Sequence, residues 1–140
     1  MRTLAVVPVK RFALAKSRLS ERFEPEQRAA LMAAMVADVL AALVTSRELA
    51  GVLTVTNEPA VVALAERLGA GVEPDRREAG QSAAAAIGVA AGLREGYERV
   101  LLAPGDCPAL DRDELDELLR AHPEPVVVVP DRHGTGTNAL

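Results

Sequence analysis

The chain has 140 residues, a formal charge of -4 and one cysteine. That length suits one domain with a real core, and the acidic balance argues against general nucleic-acid binding, which needs a broad basic face. The lone Cys107 excludes an internal disulfide and a multi-cysteine metal cage.

Hydrophobic residues make up 49% of the chain and aromatics 2%, so the core must be built from Ala, Val and Leu. No window approaches the roughly 18 consecutive apolar residues of a membrane span. The start MRTLAVVPVK is too short and too quickly charged for a secretory signal. The expectation is a single cytoplasmic domain over residues 1–140, with no nucleic-acid or membrane partner.

TLAVVPV (residues 3–9) reads as a buried strand in which Pro8 should end regular pairing. Residues 26–44 read as a helix, with Leu31, Met35, Val39 and Leu43 at steps of four and Pro25 in its first turn. GVLTVT is the second strand. Asn57 is then expected to cap a helix that has Pro59 in its first turn and ends at Gly69. GAGVEP is at best a short strand. GQSAAAAIGVAAGLREG reads as an alanine-rich helix whose Gly88 and Gly92 suggest close packing on a neighbour. RVLLA is the next strand and leads into PGDCPAL. Asp111 and Glu114 form a capping-box variant before a helix that stops at HPEP, and VVVV (residues 126–129) is a strand apolar on both faces.

Strands that alternate with helices, and that are apolar throughout, predict an α/β fold: a mostly parallel sheet with helices on both faces. Ligands of such sheets bind beyond the carboxyl ends of the strands. KRFALAKSR, PGDCP and DRHGTGTN each follow a strand directly, so they should converge on one edge of the sheet. GTGTNAL passes from a glycine-rich loop to an apolar restart and stops, which predicts a domain truncated at its C-terminus.

The first of these loops gathers Lys10, Arg11, Lys16, Arg18 and Arg22 against one acid, Glu21. It is either a solvated basic loop or a phosphate site, and its place after the first strand favours phosphate. Neither a Walker motif nor G-x-G-x-x-G is present, so side-chain cations would hold the anion, with Ser17 and Ser20 adding hydroxyls. Asp106, held between Pro104 and Pro108, either caps a turn or ligates a hard cation such as Mg²⁺. Cys107 is a small hydrophobe rather than a nucleophile, having no pairing pattern for a thiolate. In the last loop, glycines and threonines could bring N–H and hydroxyl donors to an anion. His133 is the better placed of the two histidines, but a loop histidine is ordinarily solvated, and His122 reads as structural.

Taken together, PVK....AKSRLS, PGDCPAL and PDRHGTGTNAL resemble the guanylyltransferases that act on 2-phospho-L-lactate or phosphoenolpyruvate in biosynthesis of the deazaflavin coenzyme F-420. The resemblance implies a Rossmann-like nucleotidyltransferase (GT-A-like) sheet, and a reaction of GTP with a phosphorylated three-carbon acid that releases pyrophosphate. It implies Asp106 as a magnesium ligand, Lys10, Lys16 and Arg18 as the catalytic cations, and Thr137, with Thr135 and Gly136, as acceptor contacts. The alanine- and arginine-rich composition leans towards phosphoenolpyruvate. Two departures stand out: Ser82 occupies a place where the family tends to have asparagine, and further family contacts would lie beyond Leu140. The rival readings are a molybdopterin guanylyltransferase or sugar-nucleotide synthetase, whose glycine-rich first loop is missing here, and a non-catalytic nucleotide-binding module.

Overall fold

In the computed structural model, which describes residues 2–14, 23–106, 110–121, 129–130 and 137–139, the N-terminal apolar run forms β1 (Thr3–Val9). β2 (Gly51–Thr56), β3 (Gly71–Glu73) and β4 (Arg99–Leu102) join it in one parallel sheet of order β3-β2-β1-β4. β1 is central and pairs in register with both neighbours, Leu4 opposite Gly51 on one side and Val100 on the other. Thr3 through Val7 are buried, which explains a run apolar throughout rather than alternating.

Helices α1 (Pro25–Val44), α2 (Pro59–Leu68), α3 (Gln81–Arg94) and α4 (Arg112–Ala121) cover the sheet. α1, α2 and α4 share one face, where Val39, Leu40, Leu43, Val61 and Leu115 pack with Ala5 and Val7. Full burial of Leu40 or Leu43 stabilises the fold by about 1.5–3 kcal/mol each. α1 is long and apolar enough to cross a bilayer by length and composition, and its Val36, Val39, Leu40 and Leu43 are buried in this core.

α3 covers the opposite face, against Leu4, Val6 and Val55. A Cβ at Gly88 would overlap the Val6 side chain, so glycine there lets the helix approach the strands more closely than alanine could. Its propensity cost of about 1 kcal/mol is the counterpart of that approach. The α/β architecture and the helix-covered parallel sheet are as expected.

Two local expectations change. Pro8 does not end pairing: it sits opposite Val55, and β1 runs on to Val9. Val6 turns its carbonyl towards β4, where it accepts from Ala103 N–H at 3.0 Å. Pro8, two residues on, points the same way but beyond the end of β4, so its missing N–H costs no ladder bond. Asn57 is not the cap of α2; Glu58 holds that position, and the Asn57 side chain is used across the chain instead. Of the expected VVVV strand, residues 126–128 lie outside the described residues. Val129–Pro130 (β5) pairs antiparallel with Thr137–Ala139 (β6), apart from the four-stranded sheet.

Two further helix signals act as read. Asp111 accepts the Glu114 N–H at 3.0 Å to cap α4, and α2 ends on a left-handed Gly69 with φ 86.

Candidate functional site

Strand order reverses at β1: the chain leaves β1 for β2 on one side and returns to β4 on the other. Loops leaving the carboxyl ends of β1 and β4 therefore diverge and open a crevice, the place where open α/β sheets take ligands. A cleft of about 180 Å³ lies there, lined by Lys10 from the loop after β1, Asp106 after β4, and Asp75, Gly80 and Gln81 from the loop after β3 and the start of α3. Met32, Met35 and Val36 of α1 supply an apolar wall.

Gly105 is what brings the acid in. A Cβ there would meet Val9 Cγ2 at 3.1 Å and Val36 Cγ2 at 3.5 Å, so glycine lets this turn lie against the end of β1. Asp106 is exposed beside it.

Lys10 and Asp106, expected from sequence to share a site, do line one cleft. Lys16, Arg18, Thr135 and Gly136 lie outside the described residues, as do Cys107, His122 and His133. Thr137 begins β6, where it pairs with Pro130. Ser82 is exposed on the first turn of α3, whereas its neighbour Gln81 lines the cleft.

A second cavity of about 220 Å³ adjoins the first and shares Val9, Lys10, Asp75 and Gly80 with it. Its far wall is a hydrogen-bonded set that the motif reading missed. Asn57 clamps the backbone of Asp75, accepting from its N–H at 2.9 Å and donating to its carbonyl at 2.6 Å. The Asp75 carboxylate, nearly buried, accepts the Glu78 N–H at 3.0 Å. Glu78 in turn accepts from Asn57 Nδ2 at 2.9 Å and from the Arg11 guanidinium at 2.7 and 2.9 Å. The Asn57 amide and then the Arg11 hydrogen bond, with a smaller contribution from the Arg11 charge, hold the Glu78 carboxyl below the usual carboxylate range against the opposing effect of burial. The available signal was positional: PDRREAG follows the third strand directly, so the same edge rule covered it.

Among the described residues no cluster of three or more His, Cys, Asp or Glu side chains could hold a metal ion. That donor set does not suit a cage made by protein alone. It does fit Mg²⁺, which keeps several waters and needs one or two carboxylates besides phosphate oxygens; the exposed Asp106 offers one carboxylate in the cleft that Lys10 also lines.

The family model described as "Guanylyl transferase CofC like" matches residues 3–140. A phosphoenolpyruvate guanylyltransferase of Conexibacter woesei is 45% identical over 143 residues, an alignment covering 100% of this chain and 64% of the relative. One from Sphaerobacter thermophilus is 38% identical, over 99% and 67% of the two chains. A 2-phospho-L-lactate guanylyltransferase of Methanothermobacter thermautotrophicus is 32% identical, covering 100% and 61%. The chain thus spans about two thirds of the length of these curated relatives. Among solved structures, a protein of Desulfovibrio desulfuricans G20 provisionally named a nucleotide-diphospho-sugar transferase superposes with a TM-score of 0.77 at 18% identity, over 99% of this chain and 62% of that one. CMP:2-keto-3-deoxy-manno-octonic acid synthetase complexed with CTP superposes with a TM-score of 0.61 at 16% identity, over 86% and 47%. These two share the fold.

Proposed function

The chain belongs to the CofC-like guanylyl transferase family, and from that premise we propose that it transfers GMP from GTP to the phosphate of phosphoenolpyruvate, releasing pyrophosphate. The observation that carries this reading is the cleft at the strand-order reversal, which a cation and a carboxylate from two strand ends both line. The relatives of 38 and 45% identity bear the phosphoenolpyruvate name, against 32% for the phospholactate one, which favours phosphoenolpyruvate over 2-phospho-L-lactate as acceptor. The product would enter coenzyme F-420 biosynthesis in the cytoplasm.

A phosphate oxygen of the acid attacks the α-phosphorus of GTP in line. One O–P bond forms, the bond to the β-phosphate oxygen breaks, and pyrophosphate carries that electron pair away. The attacking oxygen is already anionic, so no protein base is required. The obstacle is repulsion: two unit charges about 5 Å apart at an effective dielectric of about 20 repel by roughly 3 kcal/mol. Fixed cations are the main remedy in phosphoryl-type transfer. Lys10 offers one such charge in the cleft, and Lys16 and Arg18 of the same loop are proposed to add two more. Asp106 is the residue that would hold Mg²⁺, which when bound neutralises charge on phosphate oxygens. Thr137, with Thr135 and Gly136, is proposed to position the acceptor.

The test is pyrophosphate release with GTP or CTP and a panel of acceptors, run on this chain and on a form extended to the length of the relatives. GTP with phosphoenolpyruvate should support turnover. A preference for CTP with a sugar acid, or release that ignores the acceptor, would overturn the assignment.

A further inference from the structure

Arg11 stands beside Lys10 in the basic loop, yet its guanidinium is directed to Glu78 rather than left open to a ligand. Three features show that this pairing is built rather than incidental. Glu78 has φ 47, the left-handed region that a non-glycine residue occupies only when its surroundings hold it there. Its carboxylate is gripped from both sides, by Arg11 and by the Asn57 amide that also clamps Asp75. The residue after Arg11 is held independently: the Phe12 N–H donates to Glu58 Oε1 at 2.7 Å, the Phe12 ring is buried, and Leu14 N–H closes a 3-10 turn on the Arg11 carbonyl at 2.9 Å. Loops after β2 and β3 thus fasten successive residues of the loop after β1, and Lys10 sits just ahead of the fastening, at the wall shared by both cavities.

We propose that Glu78 is a positioning residue for the nucleotide: acting through Arg11, it latches the loop after β1 to the loop after β3 and so holds Lys10 towards the cleft. This deepens the guanylyl-transfer reading and rests on it. The inference has a sign that plain electrostatics does not share. A carboxylate beside a polyphosphate site repels the ligand, so neutralising it should tighten binding. If the carboxylate instead holds the cation-bearing loop in place, neutralising it weakens binding.

The experiment measures GTP affinity of the wild-type chain, Glu78→Gln, Arg11→Met and the double variant, with amide hydrogen exchange of residues 12–14 in the absence of nucleotide. Both single variants should weaken GTP by about three- to tenfold, the range of a partly exposed to a good charge-assisted pair. The double variant should bind no worse than the weaker single one, and KM for GTP should move more than kcat. Faster exchange at Leu14 should appear in Glu78→Gln without a change in Tm. Tighter or unchanged GTP binding in Glu78→Gln overturns the latch. Additive losses in the double variant overturn it too, because Arg11 would then contact phosphate itself. Should the wild-type chain not bind GTP at all, the guanylyl-transfer reading falls, and the exchange measurement alone decides the latch: unaltered protection at Leu14 rejects it.

Discussion

Glu78, at the carboxyl edge of the sheet, and Asp116, beyond the amino end of β2, are both carboxylates held below the usual range, but they are built for different ends. Asp116 lies on α4 and is buried. Burial opposes its ionisation, and the Ser46 hydroxyl, the Arg47 and Glu48 N–H groups and the nearby Arg112 charge outweigh that opposition. Its hydrogen bonds tie α4 to the turn between α1 and β2: Ser46 and Arg47 donate to its two oxygens. Glu78 has a strained backbone, borders a cavity, and its partners carry loops that reach the cleft. A network satisfied within itself fixes structure, whereas one that faces open space fixes groups for something else to meet.

Four substitutions would break or sharpen that contrast. Asp106→Asn should lower pyrophosphate release by about a hundredfold, the loss typical of removing one preorganised electrostatic group, with Tm unchanged because the side chain is exposed. Unaltered turnover would remove Asp106 from the chemistry. Asp116→Asn should cost about 1–3 kcal/mol in chemical denaturation, since buried donors lose a charged acceptor, and leave GTP affinity intact.

Its pH signature follows from the depressed carboxyl. The native Asp116 contributes stability above the unfolded pKa of about 4, and this is lost as pH falls through the lower folded value. The asparagine variant should therefore show a shallower decline below about pH 4. A decline as steep as wild type would place the acid sensitivity elsewhere.

Lys10→Met should weaken GTP by about tenfold, the scale of one charge-assisted contact, and should weaken a neutral nucleoside far less. Equal losses for both would deny it a phosphate role. The smallest effect belongs to Arg120→Ala: the Arg120–Glu48 pair spans 3.5 Å with the arginine 58% exposed. Its removal should change stability by less than about 0.5 kcal/mol by thermal melt.

Much of the molecule was legible before any coordinates. Pro25, Gly69 and Asp111 act on the backbone within a turn of themselves, so their readings survive any tertiary context. Apolar runs without alternation announced a sheet covered on both faces, and the edge rule brought Lys10 and Asp106 together. Pro8 was misjudged because its consequence depends on where the neighbouring strand ends, which is a matter of register rather than residue type. Asn57 was misjudged because an amide ahead of a helix has a local use and a distant one, and the segment ending at Asp75 and Glu78 lies far along the chain.

Sequence by itself determined the elements, the layer architecture and the edge on which the chemistry would gather, because capping, periodicity and strand burial are short-range or averaged properties. Only the tertiary structure decided which charges remain available. It paired Arg11 with Glu78 and left Lys10 at the cleft. Adjacent cations are alike in sequence, and only the positions of their partners in space tell them apart.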